Sequence, residues 1–272
     1  AFKLRKAVAE EGQDFILDLD STDHRQYGQK MEGLGFNHAH VWGLSSLQAF
    51  DQFGFQYWME LCPGGTFTSN GVPLVISQVL RKVPRNKRKI VRADSGMCNT
   101  DVFNACYTAN AKYVIAMREQ MLEPLLPYIS NFKRTTKIKF RDGRACEIAH
   151  HIYRTKESIS PSRVVVIRAP KVQKDLFGDP YDYHAWVTSL GAHEMTDEDI
   201  ILLYHGRGNA ENFIRELKNG FDMFHFPCRK MIANKMYGIF AAIAYNLCRY
   251  AGHVLSPKAP HFAKLVRFKL VN

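Results

Sequence analysis

Apolar and polar positions in this 272-residue chain change period several times. The run DFILDL at 14–19 has the length and apolar density of a buried strand, and it gives way to the polar run Asp20-Ser21-Thr22-Asp23. Two further β-like runs, 44–50 and 55–61, flank Asp51-Gln52-Phe53-Gly54 and predict a hairpin. Pro63-Gly64-Gly65 interrupts the pattern. Over 72–83 the apolar residues Val72, Val75, Ile76, Val79, Leu80 and Val83 fall at helical spacing, and a basic stretch over 81–89 follows. A short strand over 89–93 ends at Asp94-Ser95-Gly96. A helix over 99–110, a strand over 113–116 and a helix over 118–126 stopped by Pro127 come next.

The character changes after residue 131. Short β-like runs at 137–140, 146–153, 163–167 and 184–190 are separated by Asp-Gly, Ser-Pro and Gly-Asp-Pro turn signals. Helical periodicity returns from 197 to about Gly220, a plausible stop, and a very apolar helix spans 231–255. Pro257 and Pro260 end it, and the tail carries Lys258, Lys264, Arg267 and Lys269. Strands alternating with helices predict an α/β layer architecture. No internal repeat or low-complexity tract is present.

Composition narrows the class. Hydrophobic residues make up 46% of the chain, enough for a sizeable core, so global disorder is not expected. The net charge of +11, from 37 Lys+Arg against 26 Asp+Glu, points to a polyanionic partner, nucleic acid before an anionic membrane. The cysteines (62, 98, 106, 146, 228 and 248) form no C-x-x-C pair, so a zinc site is not expected, and free thiols in a reducing cytosol are. No apolar run is long enough to span a bilayer.

Two acids, Asp20 and Asp94, stand where a predicted strand meets a loop, the place where sites assemble in open α/β sheets. Taken singly, an Asp in such a place is more often a turn former or helix cap. Asp18 shares the strand face of Asp20 and competes for its role, although its apolar surroundings favour Asp20; Asp23 is a loop or cap candidate. The segment 204–218 carries a stronger pattern. On one continuous helix, Tyr204, Arg207, Glu211 and Lys218 fall within a stripe about 60° wide, beside an apolar arc of Leu203, Ala210, Phe213 and Leu217. A helical ion pair accounts for Arg207 and Glu211 alone, but not for the company of Tyr204 and Lys218.

Y204-HG-R207-GNA-E211-NFIREL-K218 resembles the Tyr-x2-Arg-x3-Glu-x6-Lys signature of bacterial insertion-sequence transposases of the DDE type. LDLDST at 17–22 and RADSG at 92–96 look like that family's two aspartate strands, and CPGGTFTSNG at 62–71 resembles its loop after the hairpin. The likeness covers roughly residues 14–220. The 117-residue gap from Asp94 to Glu211 matches a subgroup with a β insertion before the glutamate helix. The resemblance implies a ribonuclease H-like mixed sheet flanked by helices: catalytic core over 1–130, β-rich insertion over 131–190, core again over 191–256 and a basic C-terminal segment over 257–272. It implies that Asp20, Asp94 and Glu211 are catalytic and hold two Mg²⁺ ions, with Mn²⁺ as substitute. It also implies that Tyr204, Arg207 and Lys218 contact DNA phosphates; Arg215 is grouped with them. Trp186 either stacks on a flipped base or is a core tryptophan, and the basic stretch Arg81, Lys82, Arg85, Lys87, Arg88 and Lys89 either tracks DNA or is a solvated loop.

The expected partner is double-stranded DNA, cut at element ends and joined to target by a homodimer in the bacterial cytoplasm, at the nucleoid when active. A nuclease of the same fold without strand transfer, or a silent DNA-binding remnant, are the alternatives. Such relatives carry an N-terminal DNA-recognition region, so the chain is expected to be a piece of a longer protein or a remnant.

Overall fold

The structure, a computed structural model, describes residues 1–27, 30–36, 40–67, 69–172, 179–258 and 260–271. Thr68 of CPGGTFTSNG and Gly178 of the Gly-Asp-Pro turn lie outside them. In chain order the elements begin with α1 (Phe2–Lys6), β1 (Phe15–Arg25), β2 (Gly35–Phe36), β3 (Trp42–Asp51), β4 (Gln56–Pro63) and α2 (Val72–Leu80). They continue with β5 (Lys89–Ala93), α3 (Thr100–Thr108), β6 (Lys112–Ala116), α4 (Glu119–Leu122), β7 (Lys133–Lys139), β8 (Ala145–Tyr153), β9 (Ser162–Pro170) and β10 (Tyr181–Thr188). Four helices follow: α5 (Asp197–His205), α6 (Gly208–Gly220), α7 (Met231–Leu255) and α8 (Ala263–Val271). The chain is therefore mixed α/β, as its pattern predicts. It divides into two units, residues 1–88 with 208–272, and residues 89–207.

In the first unit β3 pairs antiparallel with β1, with β4 and, through its first residues, with β2. The β3–β4 hairpin is the predicted one. Asp51 closes it by accepting the N–H groups of Phe53 and Phe55 at 3.0 and 2.9 Å. Gly54 has φ +85°, and a side chain there would strike Phe213 and Arg249. Leu44, Phe50 and Leu61 of this sheet pack with Phe213, Ile214 and Leu217 of α6 and with Tyr245 of α7.

β1 does not end at Asp20, as the polar run suggests, but stays paired with β3 to Arg25. Polar residues can continue a strand when their groups find partners. His24 is fully buried between the Met223 carbonyl (2.7 Å) and Ser46 Oγ (2.8 Å), and Thr22 meets Lys218 of α6.

In the second unit the strand order is β5-β6-β10-β9-β8-β7. β5 and β6 run parallel and the remaining pairs antiparallel. The β-like runs after residue 131 thus form β7–β10, and β10 pairs directly with β6. Val114, Val165, Ile167 and Trp186 from this mixed sheet pack against Ile200 and Ile201 of α5.

The single helix expected over 197–220 is two helices. α5 ends at His205, Gly206 and Arg207 form a turn, and α6 starts at Gly208. Two glycines within three residues weaken helix propagation by about 1 kcal/mol each. Arg92 adds a specific stop: its Nη1 donates to the Leu203 carbonyl at 2.6 Å and occupies the space a Gly206 side chain would need.

Candidate functional site

In the first unit, β1 turns Asp18, Asp20 and Thr22 to one face and Phe15, Leu17 and Leu19 to the other. Asp18 is fully enclosed and Asp20 is 7% exposed, so Asp20 is the one with access to a ligand. Its Oδ1 accepts the Ser21 N–H at 2.9 Å. α6 packs on β1 and buries Ala210, Phe213, Ile214 and Leu217, which leaves Glu211, Arg215 and Lys218 on the remaining surface. Glu211 is exposed in the first turn, where the helix dipole favours a carboxylate. Lys218 reaches β1: its Nζ donates to Thr22 Oγ1 at 2.6 Å and to the Asp23 carbonyl at 2.9 Å. Burial holds its ammonium below the ordinary lysine range, while the Asp23 and Asp20 carboxylates pull it back up.

In the second unit, Asp94 directly follows β5 with an extended backbone and precedes the 3₁₀ turn Ser95–Met97. Its side chain makes no capping hydrogen bond to that turn. Oδ1 is buried and finds no hydrogen-bond partner among the described residues. Oδ2 lies 3.9 Å from Arg207 Nη2. Arg207 is itself buried, outside any helix, with its N–H on the Tyr204 carbonyl at 2.9 Å. Arg118 fixes the turn after Asp94, donating from Nε to the Ser95 carbonyl and from Nη2 to the Gly96 carbonyl, both at 2.7 Å. Tyr204 is half-buried, and its ring centroid lies 5.8 Å from that of Trp186. Trp186 is 7% exposed in the core cluster of this unit, so of its two readings the core one describes its place.

The break at Gly206–Arg207 corrects the one-helix stripe. Tyr204 and Arg207 belong to the second unit with Asp94; Glu211, Arg215 and Lys218 belong to the first with Asp20. The continuous helix that grouped these residues does not exist. Leu203 likewise leaves the apolar arc of α6 and packs against the core of the second unit. The basic residues Arg81, Lys82, Arg85 and Arg88 are exposed after α2, whereas Lys89 is buried in β5.

Two positioning residues were not singled out by sequence. Arg92 has a readable signal, a cation inside the apolar strand KIVRA that must find a buried acceptor. Arg118 has none, because it is exposed in a polar stretch, where an arginine calls for no buried acceptor.

The donors suit a hard cation. All three candidate acids are carboxylates, and one buried oxygen of Asp94 lacks the hydrogen bond that most buried acceptors have, as does one of Glu216. Within neither unit do three His, Cys, Asp or Glu side chains gather as a metal site among the described residues. No helix among them is long and apolar enough to cross a membrane.

No curated protein matches the chain. The family model described as "Transposase DDE domain group 1" matches residues 3–270, nearly the whole chain. The chain therefore belongs to the transposase DDE domain family, group 1.

Proposed function

We propose that this chain cuts DNA at the ends of a mobile element and transfers the freed 3′-OH into target DNA. The proposed ligands for two Mg²⁺ ions, replaceable by Mn²⁺, are Asp20, Asp94 and Glu211. Membership of the DDE family supports the DNA substrate. The observation that carries the site is Asp94: a carboxylate whose Oδ1 is buried without a hydrogen-bond partner, 3.9 Å from a guanidinium on its other oxygen. An acid kept so is costly unless something binds it.

The bound ions would supply Lewis acidity to the attacking and leaving oxygens. Arg207 neutralises a phosphate oxygen, with its fork held by burial beside Asp94. The Tyr204 hydroxyl donates to a neighbouring phosphate, backed by Trp186 from the core. Lys218 sets the charge around Asp20, and Arg215 meets the strand one helical turn beyond Glu211. In this reading the core is ribonuclease H-like, residues 131–190 are its β-rich insertion, the chain belongs to the Tyr-Arg-Glu-Lys group, and a DNA-bound homodimer acts at the nucleoid.

The test uses an end-bearing DNA, a pre-cut 3′-OH end and a target plasmid with Mg²⁺. Joining of the pre-cut end marks a transposase; cleavage alone marks a nuclease. Glu211→Ala is expected to lower cleavage by about 10⁴-fold. Unchanged cleavage in that variant overturns the assignment.

A further inference from the structure

α8 and α6 flank an open cavity of about 320 Å³, wholly within the first unit. Arg215 of α6 and Lys264 and Arg267 of α8 line it. Asn212 and Asn219 stand at i−3 and i+4 from Arg215, on the same face of α6. Phe262, at the entry to α8, is 55% exposed and offers a ring face.

The wall is built rather than loose. Ala263 and Val266 are buried, and the Ala263 N–H donates to Glu216 Oε1. Glu216, the acid in the lining, has its other oxygen 4.0 Å from Arg249 Nη1. Its carboxyl group thereby lies between the start of α8 and Arg249 of α7. Arg267 lies over the Phe221 ring at 5.5 Å, which restrains its guanidinium at the rim. No ion pair engages Arg215, Lys264 or Arg267 among the described residues.

Three cations, two amides and an aromatic face suit a ligand with a phosphate and a flat, hydrogen-bonding ring: a nucleotide. The volume is at the small end for a ligand pocket, enough for one such unit. Arg215 also lies one helical turn from Glu211, so a strand meeting Glu211 would run toward the cavity. We propose that the α6–α8 cavity grips one nucleotide of the bound DNA strand beyond the reacting position, its phosphate on Arg215, Lys264 and Arg267 and its base on Phe262. The inference rests on the DNA-processing reading above.

Fluorescence anisotropy with labelled single-stranded and duplex oligonucleotides, in EDTA so that nothing is cut, tests it. The Lys264→Gln/Arg267→Gln variant should bind single strands at least about 10-fold more weakly, with the slope of log affinity against log salt reduced by up to about 0.7, the value for one lost phosphate contact. Phe262→Ala should weaken single-strand binding about 5-fold or more without changing the slope. The charge-keeping Lys264→Arg/Arg267→Lys variant should restore the slope, which a misfolded variant could not do. If the glutamine variant keeps wild-type affinity and slope while the wild type binds and cuts, the cavity assignment fails and the transposase reading stands. If the wild type binds no DNA, both fall. If the glutamine variant loses deoxyadenosine monophosphate, followed by calorimetry, yet keeps the oligonucleotide slope, the site belongs to a free nucleotide and the strand assignment is overturned.

Discussion

In the first unit, Asp20 sits midway along β1, beside a half-buried lysine from α6 that is tied to Thr22 and to the Asp23 carbonyl. In the second, Asp94 stands at the end of β5, and two arginines grip main-chain carbonyls around it: Arg118 those of Ser95 and Gly96, Arg92 that of Leu203. The first arrangement positions an acid through charge, so it responds to protonation. The second holds the backbone that carries the acid, so it depends on shape. A guanidinium stays ionised at any working pH, whereas a buried ammonium is easily shifted.

The comparison breaks most visibly at the acids themselves. Asp94→Asn and Asp20→Asn preserve shape and remove charge, and each should lower Mg²⁺-dependent cleavage by about 10³-fold or more. A much smaller loss at Asp20 would leave the charge-balanced half without a part in the chemistry.

Arg92→Ala tests the second unit's scaffold. It strips the Leu203 carbonyl of its donor and opens a void beside Gly206. A loss of about 3 kcal/mol is expected in urea unfolding. Gly206→Ala should be damaging alone and mild in the Arg92→Ala background, because the clash it creates is with that guanidinium. Additive losses would show that the two do not share the space.

Acid separates the units next. In the first unit, burial raises Asp51 from 3.8 to about 6, against the pull of the Phe55 N–H and Arg5. Its folded form therefore binds the proton more tightly, and stability falls by about 3 kcal/mol as pH rises through 4 to 6. Burial, then Lys218, brings His24 down from 6.5 to about 4, so stability falls by a similar amount as pH drops from 6.5 to 4. The two opposite slopes nearly cancel. Asp51→Asn removes one of them, and the variant should lose about 3 kcal/mol relative to wild type on going from pH 6.5 to 4 in urea titrations. In the second unit burial brings down both His184, to about 4 with Arg141 adding to it, and His205, so acid destabilises it. Hydrogen exchange at pH 4 to 5 should find that unit opening first. Equal protection in both would refute the cancellation.

The smallest effect is expected at Arg118. Arg118→Ala frees the turn after Asp94 but leaves the core intact. Cleavage should fall about 10-fold with a stability change below about 1 kcal/mol. A stability loss as large as that of Arg92→Ala would mean that the turn supports the fold rather than the site.

Much of this was legible in the sequence because it rests on local chemistry. The β3–β4 hairpin follows from Asp51-Gln52-Phe53-Gly54, and α2 follows from apolar spacing over 72–83. What escaped was set by distant partners. A polar run read as a loop continues β1, because His24 and Thr22 meet Met223, Ser46 and Lys218 nearly two hundred residues away or across the sheet. The helix break was hidden for the same reason. Gly206 and Gly208 only weaken a helix, and the stop comes from Arg92, more than a hundred residues earlier. The helical stripe joined Tyr204 and Arg207 to Glu211 and Lys218 on one rod that does not exist.

The bare oxygen of Asp94 also bears on inheritance. A fold that encloses an unsatisfied carboxylate oxygen is less stable than one with a neutral or apolar side chain there, by an amount on the order of 1–3 kcal/mol. Selection for abundance or solubility alone would drive that acid out of the gene. Relatives that keep an acid there are therefore expected to be those that use it, and an Asp94→Asn or Asp94→Leu variant should melt at a higher temperature than the wild type.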